Sequence, residues 1–149
     1  MNIEKYPVAT DKEFRGYEFY SEGPNGRIKK VVHYTELKQF GENYFNLGFG
    51  DWNEITNEVN YLAVSNNDDR EKILATVAAT MLEFIKYYPD AIVMLIGSTP
   101  SRTRLYQIAI RENFEEISEQ FEIQGFRNGA WEVFNQNHDK YKAFSARTR

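Results

Sequence analysis

The sequence predicts an α+β fold in which one domain, residues 1–149, holds a mixed, largely antiparallel sheet and two main helices. Aromatic and β-branched segments flank tight-turn residues at two places, and this pattern is typical of β-hairpins. Between the two hairpins, one long segment has apolar residues at helical spacing, and a short continuous apolar segment follows it. A chain of 149 residues is long enough to bury one sizeable core.

Four strands are expected in the first part of the chain. Residues 14–20 and 27–35 flank the turn Gly23-Pro24-Asn25-Gly26, and they predict the first hairpin. Residues 43–51 combine aromatic residues with interleaved glycines and predict a third strand. Residues 59–64 predict a fourth strand.

Two helices and a buried strand are expected next. Asp68 and Glu71 stand at the spacing of a capping box, which predicts the start of the first helix, and Pro89 ends it. Residues 91–96 are too few for a helix between these signals, so they predict a buried central strand. Residues 100–112 predict the second helix, with proline at the favoured first position.

The remaining residues complete the sheet and the two ends of the domain. Residues 115–120 predict a short helical or turn segment, and residues 121–126 and 130–134 predict the second hairpin. Residues 1–12 are expected to form an N-terminal arm. Residues 138–149 are expected to form a basic C-terminal tail that is frayed or weakly helical.

The composition argues against several function classes. The chain has no cysteine, so no disulfide and no thiolate-bound metal is expected, and a reducing compartment fits this. The formal net charge of -4 argues against a broad surface that coats nucleic acid. Two histidines in different predicted elements argue against a zinc site. We therefore expect no metal and no cofactor.

The same sequence argues for a cytoplasmic protein. Residues 1–11 carry charges and a proline and lack the apolar core of a signal peptide. The longest apolar segment, residues 91–96, is far shorter than the ~20 residues that cross a bilayer. No membrane contact is expected.

The segment from Gly97 to Tyr106 indicates a binding site. Two hydroxyl residues and a proline follow the apolar strand, and the predicted helix then begins with Arg102 and Arg104. The first turn of a helix favours acidic residues, because the unpaired N–H groups there carry partial positive charge. Sequences usually break such local rules where a function or a partner compensates.

Two helix starts are expected to meet at this site. If residues 59–64 and 91–96 are parallel strands joined by the first helix, both end at the same edge of the sheet. The loops that leave them each lead into a helix N-terminus, and two such ends form a natural anion pocket. The candidate ligand-binding residues are Ser98, Thr99, Ser101, Arg102, Arg104, Asn66 and Asn67.

A helical projection separates the two arginines. Arg102 falls on the core side one turn before Tyr106, whereas Arg104 falls on the polar side with Gln107 and Arg111. A guanidinium group at the rim of the core needs a carboxylate, a carbonyl or a bound anion. We expect the anion, with Tyr106 orienting the ligand or donating a proton.

A structural interpretation is equally open at this point. Ser98 and Thr99 would then only cap the helix. The guanidinium of Arg102 would pair with a carboxylate inside the protein, for which the candidates are Asp51, Asp68 and Asp69.

Three segments resemble an uncharacterised bacterial family of domains of unknown function. They are residues 23–30, 66–75 and 97–106, and the similarity covers most of the chain. The family supplies no activity that could be transferred.

The order of elements is also similar to the core of the GCN5-related acyltransferase fold. Leu105-Tyr106 stands where that family often has a Leu-Tyr pair, and the resemblance implies that the tyrosine acts as a general acid. That family holds the pyrophosphate of coenzyme A on a glycine-containing loop. The corresponding residues 65–70 contain no glycine and hold two carboxylates, which repel a diphosphate.

The expected function is therefore binding of a phosphate-bearing ligand at residues 97–104. The ligand would be a nucleotide or the backbone of a nucleic acid such as RNA, and no general base is identifiable. Two alternatives stay open. One is an acyltransferase-like enzyme, and the other is a non-enzymatic module that binds a protein partner, for example within a toxin–antitoxin pair.

Overall fold

The computed structural model describes residues 3–60 and 66–149. Within them, nine strands form one mostly antiparallel sheet that packs with three helices in a single-domain α+β fold, as predicted. The strands are β1 (Ala9–Thr10), β2 (Gly16–Gly23), β3 (Gly26–Glu36), β4 (Tyr44–Asn53), β5 (Glu58–Asn60), β6 (Ile92–Leu95), β7 (Phe121–Arg127), β8 (Ala130–Val133) and β9 (Ala143–Thr148). The helices are α1 (Arg70–Tyr87), α2 (Pro100–Glu112) and α3 (Phe114–Ser118).

The strands lie in the order β1-β2-β3-β4-β6-β9-β7-β8, and β5 pairs with β4 beside this path. The pair of β4 and β6 is parallel and joins residues 44–46 to residues 92–94. The other described pairs are antiparallel. β6 therefore lies inside the sheet, as its apolar sequence predicts.

Both predicted hairpins are confirmed. β2 and β3 pair from Gly16 with His33 to Gly23 with Gly26, and β7 and β8 pair around the turn at residues 128 and 129. Asn128 and Gly129 both have positive φ, which is the backbone of a tight two-residue hairpin turn.

The prediction that residues 59–64 form a strand parallel to β6 is wrong for residues 59 and 60, the part of this segment that the structure describes. Residues 58–60 form β5 antiparallel to β4, so β5 runs opposite to β6, and residues 61–64 lie outside the described residues. The strand parallel to β6 across α1 is β4. The reason is a turn at Asn53, whose side-chain oxygen accepts the N–H groups of Ile55 and Thr56 and turns the chain back onto β4.

The expectation of a frayed or weakly helical tail is also wrong. Residues 143–148 of the predicted tail form β9, which lies between β6 and β7 and joins the two halves of the sheet. Phe144 and Ala146 alternate towards the core and are fully buried. Burial of this apolar face outweighs the charge of the flanking residues.

The start of α1 differs from the predicted capping box. Asp69 occupies the capping position and its side chain makes no capping bond, while Asp68 has a φ of 59°. The carboxylate of Asp69 instead accepts the hydroxyl groups of Tyr6, at 2.5 Å, and Ser21, at 2.6 Å. These bonds fasten the N-terminal arm and β2 to α1. The helix ends at Tyr87, before the proline, as predicted.

Asn67 holds the first hairpin against the start of α1. Its side chain is buried and donates to the hydroxyl of Ser21 at 3.0 Å and to the carbonyl of Gly26 at 2.9 Å. Its side-chain oxygen accepts the N–H of Asn25 at 2.7 Å. The side chain of this predicted ligand residue is therefore engaged within the fold.

We expect Asn67→Ala to lower the free energy of unfolding by about 3 kcal/mol, because three hydrogen bonds are lost and buried partners are left unpaired. Asn66→Ala is the matched control, since Asn66 is exposed and uses its backbone carbonyl to contact Asn25. Urea denaturation of both variants measures the difference. Equal stability of the two variants would contradict this role of Asn67.

Candidate functional site

The turn between β6 and α2 is fixed by a short set of contacts. The N–H of Gly97 donates to the hydroxyl of Thr103 at 3.1 Å, and the N–H of Thr103 donates to the carbonyl of Thr99 at 3.0 Å. A side chain at Gly97 would collide with the backbone nitrogen of Thr103. Thr99 also accepts the N–H of Arg102 on its hydroxyl, so Thr99 caps the helix.

This turn sets which face of α2 is buried. Arg102 and Tyr106 are buried, and Arg104 is exposed on the other side of the helix, as the projection predicts. Gln107 departs from the projection, because it is buried and its amide donates to the carbonyl of His138 at 2.8 Å. The polar face of α2 is thereby joined to the chain before β9.

A groove of about 710 Å³ lies between this face of α2 and residues 139–142, and we call it the basic groove. It is lined by Gly97, Ser98, Thr99, Pro100, Ser101, Thr103, Arg104, Gln107, Ile108, Arg111, Asp139, Lys140, Tyr141 and Lys142. Four of these residues are cationic and one is acidic, which leaves a formal charge of +3 in a chain whose net charge is -4. Positive charge is therefore concentrated at this groove.

Most of that charge is available to a ligand. Arg111 lies 3.6 Å from Asp139 in an exposed pair, and such pairs contribute little. Within residues 3–60 and 66–149, Arg104, Lys140 and Lys142 form no ion pair.

Glu132 on β8 holds the wall of the basic groove in place. One of its oxygens accepts the hydroxyl of Tyr141 at 2.9 Å and lies 3.0 Å from Nδ1 of His138, and the other accepts Nε of Arg127 at 3.1 Å. Hydrogen bonds from Tyr141, His138 and Arg127 hold the pKa of this carboxyl below its ordinary value. The loop that carries Lys140 is therefore fixed by Glu132 at one side and Gln107 at the other.

The buried face of α2 lines a second, smaller cavity. Its volume is about 230 Å³, and it includes Arg102, Tyr106, His33 and Ser98. The guanidinium of Arg102 lies 5.2 Å from the ring centre of Phe49, and the hydroxyl of Tyr106 lies 3.5 Å from the carbonyl oxygen of Leu47 on β4. Burial lowers the pKa of the His33 imidazole and so favours its neutral form.

Asn66 and Asn67 line a third cavity at the start of α1, of about 890 Å³. The formal charges of its described lining residues cancel, because four of them are basic and four are acidic. The basic residues are Lys30, Arg70, Lys72 and Arg102, and the acidic residues are Glu4, Asp68, Asp69 and Glu71. Among the residues that the structure describes, none lines both this cavity and the basic groove. The basic groove thus brings together Ser98, Thr99, Ser101 and Arg104. Asn66 and Asn67 line the third cavity, and Arg102 lines the second and third cavities, sharing the second with Ser98.

Two proposed carboxylate partners of Arg102 are engaged with other groups. Asp51 pairs with the buried ammonium of Lys30 at 2.5 Å. Asp69 accepts the hydroxyls of Tyr6 and Ser21.

Sequence reasoning missed the far wall of the basic groove. Lys140 and Lys142 lie in the segment predicted to be a loose tail. No local sequence pattern indicates a role for Glu132 other than its place in the second hairpin. Only the seating of β9 in the sheet brings these residues to α2.

Residues 3–60 and 66–149 contain neither a cluster of metal-ligating side chains nor a membrane-spanning helix. No group of three or more acidic or histidine side chains is placed to hold a metal ion. No helix in these ranges is long and apolar enough to cross a membrane.

We expect Glu132→Gln to lower the melting temperature at pH 7, because a neutral amide replaces the negatively charged carboxylate that contacts His138 and Arg127. A carboxyl whose pKa is lowered by folding stabilises the protein above its unfolded pKa, about 4.3, and loses this as the pH falls through its folded pKa. The difference between wild type and variant should therefore narrow from pH 7 to pH 3 in thermal unfolding.

Glu122→Gln on the exposed side of β7 is the control, and we expect it to change little at any pH. A gap between wild type and Glu132→Gln that stays constant down to pH 3 would contradict the assigned role of this carboxylate.

Comparison with known proteins gives a family and no activity. The model of a family of unknown function, DUF6934, matches residues 2–149. No protein of curated function and no solved structure matches the chain.

Proposed function

We propose that the chain, which belongs to the family of unknown function DUF6934, binds a phosphate-bearing ligand in the basic groove. One observation carries the proposal: four cations against one acid line a single groove in a chain of net charge -4. A volume of about 710 Å³ is in the range of small-ligand sites, about 300–1,000 Å³.

The residues of the groove suit this chemistry. Arg104 is exposed one turn into α2, and its planar guanidinium group fits phosphate oxygens. Lys140 and Lys142 supply ammonium groups from the facing wall. Ser98 and Ser101 are exposed hydroxyls beside Arg104 and can donate to the same anion.

Three residues predicted to contact the ligand are buried or already engaged within the protein. Arg102 and Tyr106 lie on the buried side of α2, and Thr99 is occupied as the cap of the helix. The ligand is therefore assigned to Arg104 and the two lysines, rather than to Arg102 and the start of α1.

An acyltransferase-like enzyme is the second candidate, and one observation favours it. Tyr106 and His33 line the same small cavity where β6 leaves β4. An imidazole and a tyrosine that line one cavity have side-chain types that general acid–base catalysis uses. Asp68 and Asp69 at the start of α1 weigh against a coenzyme A diphosphate there.

Binding of inorganic pyrophosphate, followed by calorimetry at low salt, tests the first proposal. We expect Arg104→Gln to weaken binding about tenfold or more, because a charge-assisted hydrogen bond is worth about 1.5–3 kcal/mol. Lys140→Gln should weaken it in the same direction. Both residues are exposed, so the variants should remain folded.

Lys12→Gln is the matched control, since it removes one exposed positive charge outside the groove. Equal pyrophosphate affinity in all four proteins, or no binding by the wild type, would overturn the proposal. Coenzyme A binding that Arg104→Gln leaves unchanged would favour the acyltransferase-like candidate.

A further inference from the structure

The charge along the basic groove is uneven. Arg104 and Arg111 are seven residues apart on one face of α2, which places them about 10 Å apart along the helix. At the Arg104 end stand the hydroxyls of Ser98 and Ser101. At the Arg111 end stands Asp139, whose side chain is 82% exposed. The groove therefore has a cationic end and an end that offers a carboxylate.

Beyond Arg111 the chain is acidic: residues 112–119 hold four glutamates and no lysine or arginine. Glu112 closes α2, and Glu115 and Glu116 follow in the first turn of α3. A polynucleotide needs a basic track that continues past the site, since each phosphate carries a charge. Residues 112–119 offer no cation that would continue such a track.

Among the described residues, the lining of the groove also offers no exposed aromatic ring on which bases could stack. Tyr141 is its aromatic lining residue, and it is 4% exposed. Its hydroxyl is bonded to Glu132 and to the N–H of Asn135, and its ring packs against Phe134 and Phe144. Proteins that bind single strands rely on exposed aromatic rings, which the lining of this groove does not offer.

From these observations we infer that the ligand is a small phosphate ester that carries hydroxyl groups, a sugar phosphate in chemical class. Its phosphate lies at Arg104, and its hydroxyl groups donate to the carboxylate of Asp139. An exposed carboxylate is repulsive to a second phosphate but is a strong acceptor for the hydroxyls of a sugar. The inference rests on the proposed function, because it names the ligand class of the same groove.

Three probes separate the parts of the inference: inorganic phosphate, ribose 5-phosphate and a 12-nucleotide oligoribonucleotide. We expect the wild type to bind ribose 5-phosphate more tightly than inorganic phosphate. We also expect it to bind the oligonucleotide more weakly than ribose 5-phosphate, because no cation follows Arg111 in residues 112–119 to hold further phosphates.

The variant Asp139→Ala separates the loss of a hydrogen-bond acceptor from a change in charge alone. Loss of the hydroxyl acceptor should weaken ribose 5-phosphate about tenfold. Removal of a negative charge should leave inorganic phosphate binding equal or tighter. Asp90→Ala, at an exposed site outside the groove, is the matched control and should change neither affinity.

The outcomes distinguish this inference from the proposed function. If inorganic phosphate and pyrophosphate both fail to bind, the proposed function is lost and the inference falls with it. If both bind, but Asp139→Ala tightens ribose 5-phosphate or the oligonucleotide binds best with a steep salt dependence, the groove is an anion site and the sugar-phosphate inference is wrong.

Discussion

The contact between Gly97 and Thr103 is the constraint on which the arrangement of this site depends. Because Gly97 has no side chain, the backbone of Thr103 occupies the space beside it, and a hydrogen bond of 3.1 Å joins the two residues. The end of β6 is thus held against the first turn of α2. This orientation buries Arg102 and exposes Arg104, so one short turn decides which arginine meets the core and which meets the basic groove.

The opposite wall of the groove depends on β9. This strand lies between β6 and β7, and its seating places residues 139–142 beside α2. Glu132 and Gln107 then fasten the same loop from two sides. On a loose tail, the charges of Lys140 and Lys142 would be mobile. Because the loop is held in a defined position, ligand binding costs less conformational entropy.

Local patterns predicted much of the fold, and long-range pairings account for the errors. Turn residues identified both hairpins, and the proline at position 100 identified the start of α2, because these signals act within a few residues. The partner of β6 and the placement of β9 depend on pairings between residues far apart in the chain, which no short pattern contains. The candidate site divides in the same way. The sequence indicates Ser98, Thr99, Ser101 and Arg104 as candidate ligand residues of the groove, whereas Lys140, Lys142 and Glu132 follow only from the structure.

The central claim is that phosphate binds in the basic groove, and amide chemical-shift mapping tests it most directly. Titration of ¹⁵N-labelled protein with inorganic phosphate should shift the amide signals of Ser98, Ser101 and Arg104 together with those of residues 140–142. Shifts confined to residues 66–70 at the start of α1, or no saturable shifts in the groove, would contradict the account.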